Sequence, residues 1–300
     1  MIVLAGLAVA VVSGNLLWWM LLHRPYTFHS DSSTVDSINW SPDGKLIAFT
    51  TSSDPGQKQS TSTLHFWDVA TNENLSINSN SSSYVEKSVW SPDGKYLAFT
   101  TTTYPGGSST SAVQTSTAQV WVWDAITKAK VSIYTYTGTG SPSADTYWSP
   151  DGKYLAFKTY TVPGGSSTST VQKGTVQVRV WDALTKANLF IYTYPYTSSG
   201  SSSVGVTIFR FGSGSPSYTD ITWSTDDKHL AFVINRIDPS CETTSESCNG
   251  TVYIWDATIK GSTYVLHLSS SSVNIIAWSP DNARIASGSS DGTLSVWYAV

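Results

Sequence analysis

Charged residues are scarce in this chain of 300 residues. Asp, Glu, Lys and Arg make up 13% of it, against about 25% in an average globular protein. The formal net charge is -4, with 17 Lys and Arg against 21 Asp and Glu. Neutralising phosphates needs clustered basic side chains. The composition therefore argues against nucleic acid as a partner.

The signatures of common enzymes are also lacking. The sequence has no G-x-S-x-G, phosphate-binding loop or H-E-x-x-H, and no cysteine in a nucleophile pattern. Its five histidines, at positions 23, 29, 65, 229 and 267, show no metal-ligand spacing. We therefore expect a protein that is not an enzyme and has no cofactor.

Cysteine is limited to two residues, Cys241 and Cys248, in the segment CETTSESC. This spacing fits a local disulfide at the tip of a hairpin. A metal site would need further ligands nearby, and none is present. Free thiols in a reducing compartment are the alternative interpretation.

The first 22 residues, MIVLAGLAVAVVSGNLLWWMLL, carry no charge. They are long enough to span a bilayer, and the aromatic pair Trp18 and Trp19 suits its interface. We predict a transmembrane anchor over residues 1–23. A cleaved signal peptide is the alternative, although no basic residue precedes the apolar run. Arg24 alone favours a cytoplasmic domain, but the cysteines and the hydroxyl-rich composition lead us to expect an extracytoplasmic one.

One phrase occurs five times after the anchor. It consists of a strand that ends in Trp, a Ser-Pro-Asp-Gly type turn and a second strand. A second phrase, usually ending in Trp-Asp, follows each copy and predicts a third strand, and in the first four copies a fourth apolar run comes next. Four strands about every fifty residues are typical of a propeller blade. The five copies begin at Ile38, Ser88, Thr146, Ile221 and Ile276.

These phrases resemble the WD-repeat family, and WSPDGKYLAF also resembles periplasmic TolB-type repeats. The resemblance implies an all-β, five-bladed β-propeller of four-stranded blades over residues 24–300. The family's Gly-His dipeptide is absent, and only Asp291 matches the family's loop Asp. The buried His-Ser-Asp-Trp tetrad is therefore missing. The blades are expected at about 35–79, 85–136, 144–193, 218–268, and 273–300 together with 25–29.

The resemblance also implies that the strand at 25–29 completes the last blade, beside Trp297. This strand follows the anchor directly, which places the short turns towards the bilayer. The loops between second and third strands, at 50–62, 101–117, 159–174 and 234–250, then lie on the distal face, where binding surfaces are usually built.

We therefore expect the distal loops to bind a protein, peptide or glycan. Tyrosine, phenylalanine and arginine bury much area and are favoured contact residues. The same side chains could instead pack on their own loops. The candidates are Tyr104, Tyr160, Tyr196, Phe209, Phe211 and Arg236.

An acidic residue begins four of the five inner strands, and Asn274 begins the fifth. These carboxylates could bind a cation or serve a hydrolase that acts on glycans in the channel. They stand three or four residues before the Trp, so strand alternation does not aim them together. We therefore interpret them as solvated strand ends. The set is Asp36, Glu86, Asp145 and Asp220.

Three functions follow from this pattern. We prefer an interaction or sensor module that acts as a scaffold at a membrane surface, such as the extracytoplasmic half of a bacterial receptor. A glycan hydrolase and a self-assembling surface protein are the alternatives. The oligomeric state is left open.

The mass of the purified protein tests both the anchor and the disulfide. We expect the mass of the chain with residues 1–22 retained, and a gain of two hydrogens on reduction. A mass without the first segment would show a cleaved signal peptide, and no change on reduction would show free thiols.

Overall fold

In the computed structural model, the described residues are all in strands, turns and short connections. The structure describes residues 33–53, 62–78, 83–103, 115–139, 143–161, 171–199, 221–235, 250–260, 263–267, 273–289 and 293–299. The predicted anchor, the closing strand at 25–29, Asp291 and the two cysteines lie outside these ranges. Within them, no helix is long and apolar enough to cross a membrane.

The described strands form five antiparallel sheets, each built from strands that are consecutive in sequence. Sheet 1 contains β1 (Ser33–Trp40), β2 (Leu46–Ser53), β3 (Ser62–Asp68) and β4 (Glu73–Asn78). Sheet 2 contains β5 (Ser83–Trp90), β6 (Tyr96–Thr103), β7 (Thr115–Asp124) and β8 (Lys130–Thr139). Sheet 3 contains β9 (Ser143–Trp148), β10 (Tyr154–Thr161), β11 (Val171–Asp182) and β12 (Asn188–Ser199).

Sheet 4 contains β13 (Ile221–Trp223), β14 (His229–Asn235), β15 (Gly250–Asp256) and β16 (Thr263–His267). Sheet 5 contains β17 (Val273–Trp278), β18 (Arg284–Ser289) and β19 (Leu294–Tyr298). The first strands of successive sheets contact one another from sheet 1 to sheet 5. The all-β prediction is confirmed, and the arrangement is consistent with a β-propeller.

Several strands extend further than the sequence analysis expected. The connection predicted at 159–174 is shorter, because β10 continues to Thr161 and β11 begins at Val171. Strand β12 likewise continues to Ser199, pairing residue by residue with β11. Backbone pairing across this hairpin extends the sheet through residues whose Ser, Thr and Gly content had suggested a loop.

The Ser-Pro-Asp-Gly turn is held by its own side chains. In sheet 2 the Ser91 hydroxyl donates to Asp93 over 2.7 Å and accepts the backbone N–H of Tyr96 over 2.9 Å. Gly94 then adopts a φ of 71°, which glycine adopts without strain. The predicted hairpin is confirmed.

In sheets 4 and 5 this glycine is replaced by Asp227 and Asn282, with φ values of 64° and 59°. Both side chains bind the turn of the preceding sheet. Asp227 accepts the N–H of Asp151 over 2.7 Å, and Asn282 accepts the N–H of Thr225 over 2.8 Å. The two substitutions therefore add contacts between sheets.

In sheets 2 to 5, an indole group links the sheet to the one before it. The Trp that ends a first strand donates its Nε1–H to the carbonyl of the residue that precedes the corresponding Trp. Trp148, for example, donates to Val89 over 3.2 Å. The others are Trp90 to Asn39, Trp223 to Tyr147 and Trp278 to Thr222, over 3.2 to 3.3 Å.

Aromatic packing reinforces these hydrogen bonds. Tyr96 of sheet 2 stacks on Trp148 of sheet 3, with ring centroids 6.0 Å apart, and meets Trp181 edge to face at 5.8 Å. Tyr154 meets Trp223 and Trp255 of sheet 4 in the same way. Each such pair contributes about 0.5–1.5 kcal/mol beyond burial. The core thus lies mainly between sheets.

The absence of the hydrogen-bonding tetrad has a visible consequence. The second-phrase Trp123 is fully buried, and its Nε1 has no hydrogen-bond partner within the described ranges. It stacks instead on Phe66 of sheet 1, at a centroid distance of 3.7 Å. At this position the indole is therefore held by packing on Phe66.

His65 is a buried polar residue in the third strand of sheet 1. Its Nε2 lies 3.0 Å from the Thr51 hydroxyl and its Nδ1 lies 2.8 Å from the Ser76 hydroxyl. Its ring stacks on Phe49 at 4.7 Å. Burial lowers the pKa of His65 below its ordinary value, because the interior disfavours the charged imidazolium.

We predict that Trp148→Phe lowers the free energy of unfolding by about 1–3 kcal/mol, because it removes a hydrogen bond from a buried indole. Trp40→Phe is the matched control. Trp40 occupies the same position in sheet 1 and is 54% exposed, and its indole has no hydrogen-bond partner among the described residues. Urea unfolding should show a change within about 0.5 kcal/mol for this control. Equal losses in both variants would contradict the proposed linkage.

We also predict that His65 makes stability depend on pH. The unfolded histidine has a pKa near 6.5 and the folded one a lower pKa. Neutral His65 therefore contributes stability that is present above about pH 6.5 and lost as the pH falls through the folded value. Urea unfolding at pH 7.5 and pH 5 should show a smaller difference for His65→Gln than for the parent chain. An unchanged difference would contradict the assignment.

Candidate interaction surfaces

The six residues predicted to bind a ligand fall mostly outside the described part of the chain. Tyr104, Phe209, Phe211 and Arg236 are outside the described ranges. Tyr160 and Tyr196 were expected in loops, but they belong to strands β10 and β12. Tyr196 pairs with Gly174 across this hairpin. The distal-loop site therefore stays a prediction.

The acidic residues at the start of the inner strands differ in their strand pairing, because some lie at a β-bulge and others do not. The pairing of β1 with β2 shifts at Asp36, and the pairing of β5 with β6 shifts at Glu86. Strand β9 has no bulge, and Asp145 pairs in register with Lys158. One extra residue in the bulged strands accounts for the spacing of four before the Trp in place of three. Asp220 lies outside the described ranges.

Glu86 and Asp145 are brought near each other on neighbouring sheets. The Nζ of Lys87 lies 3.5 Å from Asp145. Desolvation by the surrounding protein raises the pKa of the Glu86 carboxyl, although solvent still reaches the residue, and the charge of Asp145 acts in the same direction. A hydrogen bond with Thr102 opposes these effects. The two carboxyls therefore differ in environment, with Asp145 paired to a cation.

Asp36 does not join this pair. It is exposed and accepts a hydrogen bond from the Thr34 hydroxyl over 3.0 Å. Within the described ranges, no three His, Cys, Asp or Glu residues lie close enough to hold a metal ion.

A groove opens between sheets 2 and 3, beside the Trp-Asp turns. We call it the 2/3 groove. Its cavity measures about 300 Å³, which is the lower end of the range for small-ligand sites. Its walls are mainly apolar, with a few polar groups from both sheets. The lining residues are Tyr96, Val122, Asp124, Thr127, Ala129, Val131, Ser132, Ile133, Trp181, Lys186 and Asn188.

Sheet 3 contributes two polar side chains, Lys186 and Asn188, to the 2/3 groove. Lys186 donates to the Tyr96 hydroxyl over 2.8 Å, and its Nζ lies 4.4 Å and 5.1 Å from the ring centroids of Tyr96 and Trp181. Asn188 donates to the carbonyl of Ile133 over 2.6 Å. These contacts fix the two walls relative to each other.

Exposed apolar side chains flank the groove. Val131, which lines it, is 59% exposed, and the nearby turn residues Ile126 and Leu184 are 76% and 84% exposed. Large apolar side chains this exposed, next to an apolar cavity, mark a surface suited to a protein partner. This surface lies beside the short turns, whereas the contact residues predicted from the sequence were on the distal loops.

The corresponding place between sheets 3 and 4 is occupied by a lysine. The Nζ of Lys260 lies 2.8 Å from the Oδ2 of Asp182. Burial acts to raise the pKa of Asp182, but the hydrogen bonds from Lys260, Thr185 and Leu184 outweigh it, so the pKa is lowered. Lys260 and Lys186 hold the same position in their repeats, and each has a φ between 50° and 60°.

Asp124 is the counterpart of Asp182 in the 2/3 groove. Its Oδ1 accepts the backbone N–H groups of Ile126 and Thr127, over 2.8 and 3.0 Å. Within the described part of the chain no Lys, Arg or His lies within 4 Å of its carboxylate. Its Oδ2 is therefore left without a cation. Aligning the repeats identifies the position, but only the structure shows the difference in pairing.

Comparison with known proteins finds one family model that matches two segments of the chain. The model of the family "WD domain, G-beta repeat" matches residues 22–68 and 260–298. These two segments, which contain the first and last repeats, are therefore similar to WD repeats. The comparison with curated proteins finds no match.

Solved structures with a partly similar backbone fold include two enzymes. The acylaminoacyl peptidase of Pyrococcus horikoshii is 13% identical, with a TM-score of 0.48 over 88% of this chain and 38% of the peptidase. An oligogalacturonate lyase in complex with manganese is 12% identical, with a TM-score of 0.47 over 89% of this chain and 65% of the lyase. The chain thus spans less than two thirds of either enzyme, and likeness at this level carries no inference about activity.

Proposed function

We propose that this protein is a non-catalytic interaction module that binds a protein partner through the 2/3 groove. The observation that carries the proposal is a cavity of about 300 Å³ with a mainly apolar lining and a carboxylate, Asp124, that forms no ion pair with a Lys, Arg or His of the described ranges. Pockets of this kind, with a few polar groups to fix orientation, are typical of binding sites. The WD-repeat matches support the same reading, because such repeats generally mediate protein interactions.

We further propose that the module is displayed at a membrane surface, outside the cytoplasm. The support is the uncharged segment of residues 1–22, which is long enough to span a bilayer. The groove lies beside the Trp-Asp turns, at the end that the sequence analysis placed towards the bilayer. A partner in the groove would therefore approach along the membrane, whereas the distal loops would face away from it.

A photo-crosslinking amino acid at Val131 tests the interaction. Val131 faces the 2/3 groove, so we expect a covalent adduct with a second protein when the full chain is irradiated in the cells that produce it. Leu75 is the matched control, because it holds the same position in sheet 1 and is 42% exposed. Adducts of equal yield at both positions, or none at Val131, would count against binding in this groove.

A glycan hydrolase is the second candidate, and one observation favours it. Glu86 has a raised pKa beside Asp145, which is paired with Lys87. A carboxyl with a raised pKa beside a second carboxylate can serve as the general acid of a glycosidase pair.

Turnover of a panel of labelled oligosaccharides separates the two candidates. We expect the parent chain to show no turnover that depends on Glu86 and Asp145. Neither Glu86→Gln nor Asp145→Asn should therefore abolish an activity. Asp36→Asn is the control, because Asp36 is exposed and outside the pair. Turnover lost in the first two variants and kept in the third would replace the interaction module with an enzyme.

A further inference from the structure

Three of the Trp-Asp turns carry a lysine, and the side chains of these lysines make different contacts. All three lysines have the same backbone conformation, with φ values of 58° for Lys128, 60° for Lys186 and 50° for Lys260. Lys260 alone makes an ion pair with the Asp of the preceding sheet, Asp182. Since the backbone is the same, the difference lies in what surrounds each side chain.

The structure explains why Lys186 leaves Asp124 unpaired. The Lys186 ammonium donates to the Tyr96 hydroxyl and lies over the rings of Tyr96 and Trp181. Cation–π contacts with two rings stabilise the ammonium in this position. Between sheets 3 and 4, the Nζ of Lys260 lies 5.9 Å from the ring centroid of Tyr154 and donates to the Asp182 carboxylate.

From this difference we infer that the 2/3 groove binds a lysine side chain of the partner, presented by an extended segment with apolar residues on both sides. The inference rests on the proposed function and names its ligand. The partner's ammonium takes the place on Asp124 Oδ2 that Lys260 takes on Asp182 Oδ2. The flanking apolar residues cover Val131 and Ile133 on one wall.

The chemistry of the groove favours this ligand. Asp124 already holds the turn through its Oδ1, so its carboxylate is oriented before a ligand arrives. A hydrogen bond to a charged group contributes more than one between neutral groups. The apolar walls exclude water around the ion pair and reduce its screening by salt. Glutamine in place of lysine would fill the groove without the charge.

Binding of a short fluorescent peptide to the full chain in detergent tests the inference. The probe is Ser-Leu-Lys-Leu-Ser, and the control peptide has Gln in place of Lys. By fluorescence anisotropy we expect the lysine peptide to bind roughly tenfold more tightly, since a charge-assisted hydrogen bond is lost in the control. Asp124→Asn should remove this preference, because the amide keeps the turn contact through its oxygen but loses the charge.

Asp68→Asn is the matched control variant. Asp68 makes the same turn contacts in sheet 1, with the N–H groups of Ala70 and Thr71 over 2.9 and 3.1 Å, and lies outside the 2/3 groove. It should keep the preference for lysine. Equal affinity of the two peptides for the parent chain, or equal loss in both variants, would overturn the inference. The peptide comparison on the parent chain remains decisive if Asp124→Asn fails to fold.

The variant Lys186→Gln tests whether Asp124 pairs with a lysine of the partner or with Lys186 of this chain. Binding of the lysine peptide by this variant alone would mean that Lys186 itself occupies Asp124 in solution, and would overturn the inference. A Val131 adduct without a lysine preference would leave the interaction module standing and reject only the ligand. Failure of both experiments would reject the module as well.

Discussion

The hydrogen bond from the first-strand indole of sheets 2 to 5 to a carbonyl of the preceding sheet is the constraint on which the arrangement depends. It recurs from Trp90 to Trp278 with nearly constant length. Because every bond joins one sheet to the next, each sheet is positioned by its neighbour. Packing of Tyr96 and Tyr154 on Trp pairs reinforces the same junctions. A stack of this kind gives a rigid scaffold in which grooves between sheets keep their shape.

Function in such a scaffold arises where the repeats diverge. The Ser-Pro-Asp-Gly and Trp-Asp turns use their carboxylates for the same local hydrogen bonds throughout, and these are structural. The lysine after the Trp-Asp turn is different, because its side chain reaches across to another sheet. Between sheets 3 and 4 it neutralises Asp182, whereas between sheets 2 and 3 it rests on aromatic rings. Lys186 and Lys260 thus have similar backbone φ values but different side-chain contacts. Lys260 pairs with Asp182, whereas Lys186 leaves Asp124 without a cation among the described residues.

The inner strands show how a small irregularity changes a candidate site. The spacing of Glu86 and Asp145 from their Trp residues suggested that they point in different directions. A bulge at Glu86 absorbs the extra residue, and the two carboxyls come within electrostatic reach of each other. Residue spacing does not reveal a bulge, since it depends on pairing with the neighbouring strand. The hydrolase alternative therefore has more support in the structure than in the sequence.

The sequence by itself determined the all-β class, the repeating strands and both kinds of turn, because these follow from local residue chemistry: Gly94 accepts a positive φ, and Ser91 and Asp93 bond within their own turn. It also indicated the lost tetrad and the apolar first segment. Only the tertiary structure decided which atoms meet between sheets, namely Trp148 with Val89, Lys260 with Asp182 and Lys186 with Tyr96. Such pairings join residues some 60 to 90 positions apart. They depend on how whole sheets pack, which no local pattern specifies.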